Sequence, residues 1–245
     1  MNYQWNWGVF LQPSASGDDT YLGWMFAGFK MTVALSLSAW VLALLIGALF
    51  GVLRTVPNKG LAGIATAYVE LFRNIPLLVQ LFIWYFVLPE LLPGPLGDAF
   101  KQSNPMMQQF LASMVCLALF TSARVAEQVR AGINSLPKGQ KNAGLALGFT
   151  LPQTYRFVML PMAFRLVVPP LTSEFLNIFK NSAVCSTIGL LELAAQGRQL
   201  VDYTAQPYES FIAVTVAYLA INVTVMFLMR KVEHRIVVPG YIGGK

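Results

Sequence analysis

Long apolar runs separated by short polar segments dominate the chain. Three runs carry no charge and are long enough to cross a bilayer: residues 31–53, 106–123 and 210–229. The first would extend about 35 Å as an α-helix, and the hydrocarbon core of a bilayer is about 30 Å thick. The pattern therefore predicts three membrane-spanning helices.

Two further apolar segments contain charged residues: residues 61–88, with Glu70 and Arg73, and residues 157–179, with Arg165 and Glu174. Charges at membrane depth are costly and usually face protein or water rather than lipid. We expect both segments to cross the membrane and to line an interior. The prediction is an all-α integral membrane protein with five transmembrane helices.

Composition supports a membrane location, because 56% of the residues are hydrophobic and only 11% are charged, against about 25% charged in soluble domains. The net charge of +6 arises mainly in alternate loops, at residues 54–59, 130–156 and 230–235, whereas residues 1–29 hold no Lys or Arg. The positive-inside rule then predicts a periplasmic N-terminus and a cytoplasmic C-terminus. It also makes nucleic-acid binding a poor explanation of the charge.

The expected domain organisation is a periplasmic segment at residues 1–22, a transmembrane domain at 23–235 and a cytoplasmic tail at 236–245. The first segment carries Tyr3, Trp5 and Trp7, so it is either an amphipathic element at the membrane interface or a frayed terminus. The first apolar run lacks a basic start and is not typical of a cleaved signal peptide. We expect the first span to be retained.

The basic loop between the third and fourth spans predicts a short helix over residues 136–147. Ser135 can cap its N-terminus, Pro137 suits its first turn, and Gly148 can end it. The next residues, Thr150 to Gln153, have the spacing of a capping box and predict a second helix from residue 151.

In that short helix Leu136, Ala143 and Leu147 form one apolar stripe, with Lys141 on another side. Such a helix at the inner face of a membrane can lie on lipid. It can equally enter a groove in a soluble partner. The pattern alone leaves both interpretations open.

Four segments together resemble the polar amino acid permeases of ABC importers, the HisMQ-type family: residues 68–80, 131–140, 169–175 and 180–182. The likeness covers about residues 25–235. Within the family the chain looks most like a permease subunit of a glutamate/aspartate importer, including Asn6 to Gly8 and the end at 239–245. The resemblance implies a type I, MetI-like fold and ATP-driven, binding-protein-dependent import of acidic amino acids across the bacterial inner membrane.

The resemblance also implies that the loop at about 135–161 is the EAA loop, through which such permeases engage their ATPase. The implied coupling residues are Lys141, Asn142, Ala143, Gly144, Leu147, Gly148, Leu160 and Pro161. The usual Glu-Ala-Ala is Asn142-Ala143-Gly144 here, which removes a carboxylate able to form a charge-assisted hydrogen bond, commonly about 1.5–3 kcal/mol. We expect docking to rest more on shape.

The implied partners are an ATP-binding cassette dimer, a second permease subunit, a periplasmic amino acid-binding protein and membrane lipid. This chain has no GxxxxGK[ST] phosphate loop, so we expect ATP and Mg²⁺ to be bound by the separate ATPase. We expect no catalytic residue, metal site or cofactor in this chain. The sequence leaves open whether the second permease is identical or different.

An acidic substrate needs cations along its pathway, and the candidates are Arg165 and Lys180, with Glu174 beside them on the fourth span. Arg165 can instead serve the cytoplasmic half of the bundle, and Lys180 can be an interfacial anchor. Two pairs spaced three residues apart, Glu70–Arg73 and Arg124–Glu127, are expected to pair as structural ion pairs.

Other functions remain open at this point. The chain can be a permease for glutamine, histidine or arginine, since the residues separate these substrates weakly. A stand-alone channel or secondary carrier would need no ATPase and gives no reason for an EAA-like loop. A purely structural membrane protein is disfavoured by the charges within two spans.

Overall fold

The computed structural model describes residues 3–236, apart from the side chain of Lys138. The predicted tail is therefore almost entirely outside the described residues, as is the likeness at 239–245. Helices dominate, and the described residues contain no β-strand beyond an isolated bridge between Pro13 and Thr20. The helices are a 3₁₀ turn at Trp7–Leu11, then α1 (Tyr21–Leu53), α2 (Lys59–Asn74), α3 (Leu77–Leu91), α4 (Gly94–Gln102), α5 (Pro105–Asn134), α6 (Lys138–Ala146), α7 (Leu151–Ile188), α8 (Leu193–Thr204) and α9 (Pro207–Ile236).

Two of these helices are composite. In α3, a π-helical turn at Ile83–Val87 interrupts the α-helix. In α7, the opening turn Leu151–Thr154 is followed by a π-helical turn at Tyr155–Met159, an α-helix at Leu160–Asn181 and a 3₁₀ end at Ser182–Ile188. π-Helical turns are rare and are often found at functional sites.

Three helices, α1, α5 and α9, are each long and apolar enough to cross a membrane. Two bent pairs, α2 with α3 and α7 with α8, bring the number to five if each pair is one span. The predicted all-α membrane fold is confirmed. The second span is not one continuous helix, because α2 and α3 meet at 102°. Ile75 is extended there, as the residue before Pro76 prefers.

The chain divides into two compact units. Unit 1 comprises the segment up to Trp40 with Pro76–Leu117 and Asn177–Thr224; unit 2 comprises Val41–Ile75, Ala118–Leu176 and the segment from Val225 onward. Each has its own hydrophobic packing.

In unit 1 the N-terminal segment is held in place. The Tyr3 hydroxyl donates a hydrogen bond to Glu209 and lies 2.6 Å from the side-chain oxygen of Gln206, and the Asn6 amide donates to Glu209 at 2.6 Å. Burial, followed by the hydrogen bond and charge of Glu209, raises the pKa of Tyr3 to about 12. The frayed-terminus alternative is therefore wrong from Tyr3 onward, because Glu209 binds the segment.

A buried carboxylate joins three helices of unit 1. Glu192 is fully buried and caps the N-terminus of α8, accepting from the amides of Ala195 at 2.7 Å and Ala194 at 3.0 Å. It also accepts from the hydroxyl of Tyr218 on α9 at 2.6 Å. Thr32 on α1 accepts from the Leu193 amide at 3.1 Å. The first turn of α8 is thus bonded to α1 and α9 within one apolar core.

In unit 2 a cluster of five buried residues supports the loop between α5 and α7: Ile133, Leu136, Tyr155, Met159 and Ala163. Val52 and Val56, near the end of α1, pack against it. The Tyr155 hydroxyl donates to the backbone oxygen of Thr55 at 2.7 Å. This apolar cluster therefore contains residues on both sides of α6 in the sequence, Leu136 before the helix and Tyr155 after it.

Candidate coupling site

Helix α6 ends in a complete Schellman motif. Gly148 has φ +84° and donates its amide to the Leu145 carbonyl at 3.0 Å, while the Phe149 amide donates to the Gly144 carbonyl at 3.2 Å. A residue with a side chain rarely adopts this left-handed conformation, so glycine suits the position. The predicted end at Gly148 is confirmed.

Helix α7 begins almost immediately. Thr150 accepts from the Gln153 amide at 3.4 Å, and the Gln153 side chain accepts from the Thr150 amide at 2.8 Å. This is the capping box that the sequence predicted. One helix therefore stops and the next starts with only residues 147–150 between them.

The N-terminal end of α6 differs from the prediction. The Ser135 hydroxyl donates to the Gly132 carbonyl at 2.8 Å, and the helix begins at Lys138, after Pro137. Ser135 as N-cap is wrong, because its hydroxyl binds the preceding turn of α5 instead.

Gly144 allows α6 to lie directly on the first turn of α7. A Cβ at Gly144 would stand 2.8 Å from Cγ2 of Thr154, which is fully buried. Thr154 in turn donates to the Thr150 carbonyl at 3.1 Å. The close packing that requires glycine at position 144 is therefore a contact within this chain, against Thr154.

The predicted apolar stripe of α6 is wrong, because its members have different surroundings. Leu136 is 6% exposed and lies before the helix, whereas Leu147 is 77% exposed and Ala143 is also exposed. The exposed apolar residues near the loop are instead Leu145, Leu147, Phe149 and Phe157. They leave an open apolar surface beside the two helix ends.

The remaining predicted coupling residues lie around this surface. Lys141 and Asn142 line a cleft of about 340 Å³ together with Tyr155 and Met159. Asn142 is exposed, and Leu160 packs against the supporting cluster. Pro161 is exposed on the following turn. A partner could therefore reach both a polar rim and apolar side chains.

A dense charge cluster of unit 2 was not predicted. Glu127 is bonded to both Arg54 and Arg130, and Arg73 lies 3.6 Å from the same carboxylate. The expected pairs were wrong: Glu70 accepts from Asn74 at 3.1 Å, and Arg124 lies 4.7 Å from the centre of the Phe120 ring. Spacing within one helix could not reveal that Arg54, far away in sequence, is the partner of Glu127.

The candidates for the substrate pathway are distributed between the units. Arg165 and Glu174 belong to unit 2, where Arg165 is exposed and Glu174 half-buried. Lys180 belongs to unit 1 and is exposed. Within either unit these three residues do not form a site together.

The sequence matches the family described as binding-protein-dependent transport system inner membrane component over residues 43–238. It is 58% identical to the glutamate/aspartate import permease protein GltJ of Escherichia coli K12, with the full length of both chains covered. It is 34% identical to the probable glutamine ABC transporter permease protein GlnM of Bacillus subtilis, over 85% of this chain and 91% of GlnM.

Solved structures have the same fold. An amino acid ABC transporter crystallised with histidines matches with a TM-score of 0.74 at 31% identity, over 88% of this chain and 95% of the other. The inward-facing methionine transporter MetNI matches with a TM-score of 0.73 over 89% and 98%. Its identity of 21% supports the fold alone.

Proposed function

This chain belongs to the family of inner membrane components of binding-protein-dependent transport systems, and we propose that it is the permease subunit of an ATP-driven importer of glutamate and aspartate. The substrate assignment rests on the 58% identity to GltJ across the full length of both proteins. The MetI-like fold and the five candidate spans agree with a subunit that forms part of a transmembrane pathway.

The complex would contain an ATPase dimer, a second permease and a periplasmic binding protein. In this proposal α6 is the element that enters a groove of the ATPase. The Schellman motif and the capping box join it to α7 with little freedom, and the Tyr155–Thr55 hydrogen bond joins α7 to the end of α1. Closure of the ATPase dimer would thus bias the spans between two states.

The charges of unit 2 support a proposed orientation in the membrane. Arg54, Arg73 and Arg130 surround a single carboxylate, and Lys141 lies on α6. An excess of cations is typical of cytoplasmic loops. We propose that α6 faces the cytoplasm and that the N-terminal segment faces the periplasm.

The substrate is tested by ATP-dependent uptake into liposomes. The liposomes hold this chain with the ATPase, the second permease and the binding protein encoded beside it. Labelled glutamate, aspartate, glutamine, histidine and arginine are compared, and we expect uptake of only the acidic pair. Uptake of another amino acid would keep the architecture and overturn the substrate.

The coupling role is tested by a matched pair of charge reversals, Lys141→Glu and Lys59→Glu. Lys141 lines the cleft beside α6, whereas Lys59 is exposed at the start of α2, where a carboxylate suits the helix dipole. We expect Lys141→Glu to lower uptake about tenfold or more, the scale of a lost charge-assisted contact, while the complex keeps its basal ATPase activity. Lys59→Glu should transport normally.

Leu147→Glu provides a second test of coupling, because this side chain is 77% exposed and its replacement leaves the core intact. Wild-type uptake in both Lys141→Glu and Leu147→Glu would contradict α6 as the docking element. Uptake lost equally in Lys59→Glu would show a general effect of charge.

A further inference from the structure

Helix α8 in unit 1 has two different sides. Five of its residues are buried: Leu193, Ala195, Gln196, Gly197 and Leu200. The opposite side presents Arg198 and Asp202, both exposed, with Gln199 half-buried between them. A short amphipathic helix of this kind buries one side for stability and leaves the other free to bind.

The exposed side of α8 forms one wall of a cleft of about 430 Å³. Arg198, Gln199 and Asp202 line it on the helix, and Ser186, Gly189 and Phe211 line it elsewhere. Leu191, Ala195 and Val201 add apolar surface, and a few polar groups among apolar side chains are a common composition of small-molecule sites. This "α8 cleft" lies wholly within unit 1.

Arg198 and Asp202 are four residues apart on α8, so their Cβ atoms are about 5–6 Å from each other. In the described part of the chain, neither takes part in an ion pair. A cation and an anion at this spacing can each bind the opposite charge of one small ligand. An α-amino acid carries such a pair, with a carboxylate and an ammonium bonded to the same Cα atom.

The cleft is also held in a fixed geometry. Glu192 caps the first turn of α8 and bonds to Tyr218 of α9, and the Leu193 amide bonds to Thr32 of α1. The Ser210 hydroxyl donates to the Gly197 carbonyl at 2.5 Å on the next turns of the helix. These bonds leave the side chains of Arg198 and Asp202 on a rigid helix, which favours specific binding.

We propose that the α8 cleft is a binding site for the zwitterionic head of the transported amino acid, with Arg198 binding the carboxylate and Asp202 the ammonium. The proposal rests on the proposed function as an amino acid importer. It assigns the cleft to the atoms shared by all amino acids, so it does not select the acidic side chain. In the proposed orientation, α8 faces the periplasm, where the binding protein releases its ligand.

The experiment measures uptake by the complete complex in liposomes while the concentration of liganded binding protein is varied. The variants are Arg198→Gln, Asp202→Asn and the charge-retaining Arg198→Lys. Lys101→Gln is the matched control, because Lys101 is a cation of the same unit in an exposed pair with Glu90 at 2.7 Å. ATPase stimulation by the binding protein is measured in parallel.

We expect Arg198→Gln and Asp202→Asn each to lower the maximal uptake rate about tenfold, the scale of one charge-assisted hydrogen bond. Half-saturation by the binding protein and its stimulation of ATP hydrolysis should remain, and Arg198→Lys should retain most of the uptake. Unchanged maximal uptake in both neutral variants would overturn the site. A higher half-saturation concentration with an unchanged maximal rate would also overturn it, and would assign the cleft to docking of the binding protein. If the wild-type complex took up neither glutamate nor aspartate, the result would instead contradict the proposed function.

Discussion

The two units each enclose a glutamate, and they satisfy its charge in different ways. In unit 1 Glu192 is fully buried and, among the described residues, has no cationic partner; it accepts from two backbone amides, from the Tyr218 hydroxyl and, at 3.5 Å, from the Thr32 hydroxyl. In unit 2 a quarter of the Glu127 side chain is exposed, and three arginines form ion pairs with it. One carboxylate is held by dipoles and the other by counter-ions.

The two carboxylates have different partners because one lies deep in a core and the other lies near a surface. Dipoles fixed in a helix end leave no excess charge, so Glu192 can lie deep in an apolar core and define the position of α8. The arginines around Glu127 exceed its charge, so that cluster must stay near a polar surface, where desolvation is small. We infer that Glu192 fixes the position of α8 and that Glu127 holds the three arginines close to one another.

The largest effect is expected for Glu192→Ala. The change removes an N-cap and leaves two backbone amides and the hydroxyls of Tyr218 and Thr32 without this acceptor, which costs about 4 kcal/mol on the scale of about 1–3 kcal/mol per group. The midpoint of thermal unfolding of the purified complex should fall clearly. Glu90→Ala is the control, since Glu90 is 68% exposed; an equal loss there would contradict the assignment to burial.

Glu127→Ala should rank second, at about 2–3 kcal/mol, because Arg54 has only 9% of its side chain exposed and loses its counter-ion. The same thermal midpoint reports this loss. Glu127→Gln should recover little, since an amide cannot neutralise the arginines. Recovery to wild-type stability by the glutamine variant would show that hydrogen bonding, rather than charge, holds the cluster.

Tyr218→Phe should cost about 1.5–2 kcal/mol, because it removes one donor to a charged group while both backbone amides still bind Glu192. The double variant with Glu192→Ala should lose clearly less than the sum of the two single losses. Additive losses in this cycle would mean that the two side chains are energetically independent.

Arg73→Gln is expected to have the smallest effect, within about 0.5 kcal/mol, because Arg73 is 47% exposed and stands 3.6 Å from Glu127. A loss of unfolding midpoint as large as that of Glu127→Ala would break the ranking. It would make Arg73, rather than Arg54, the main partner of the carboxylate.

The sequence predicted those features that depend on neighbours in the chain. The stop at Gly148 and the capping box from Thr150 to Gln153 are local patterns, and both are present. The segment at residues 61–88 was predicted as one span, although the chain turns by 102° where Ile75 precedes Pro76. Local preferences identify such an end, but tertiary packing decides the angle.

Features that depend on distant partners could not be predicted in the same way. Thr32 and Tyr218 lie 160 and 26 residues from Glu192, and no local spacing connects them. The expected Arg124–Glu127 pair failed because Arg54, which lies 73 residues away, binds the carboxylate together with Arg130. Of these two arginines only Arg130, three residues after Glu127, stands at a spacing that the sequence could have shown. A charged residue in the apolar stretch around Glu192 was a signal that could have identified that site.

The short connection between α6 and α7 has a thermodynamic consequence for association. Ordering a flexible residue on binding costs about 1–2 kcal/mol of backbone entropy, but the connection at residues 147–150 is already fixed by the Schellman bonds and the capping box. That entropy is lost when the chain folds. A partner that binds α6 therefore has no loop to order, and its affinity reflects the contacts it makes.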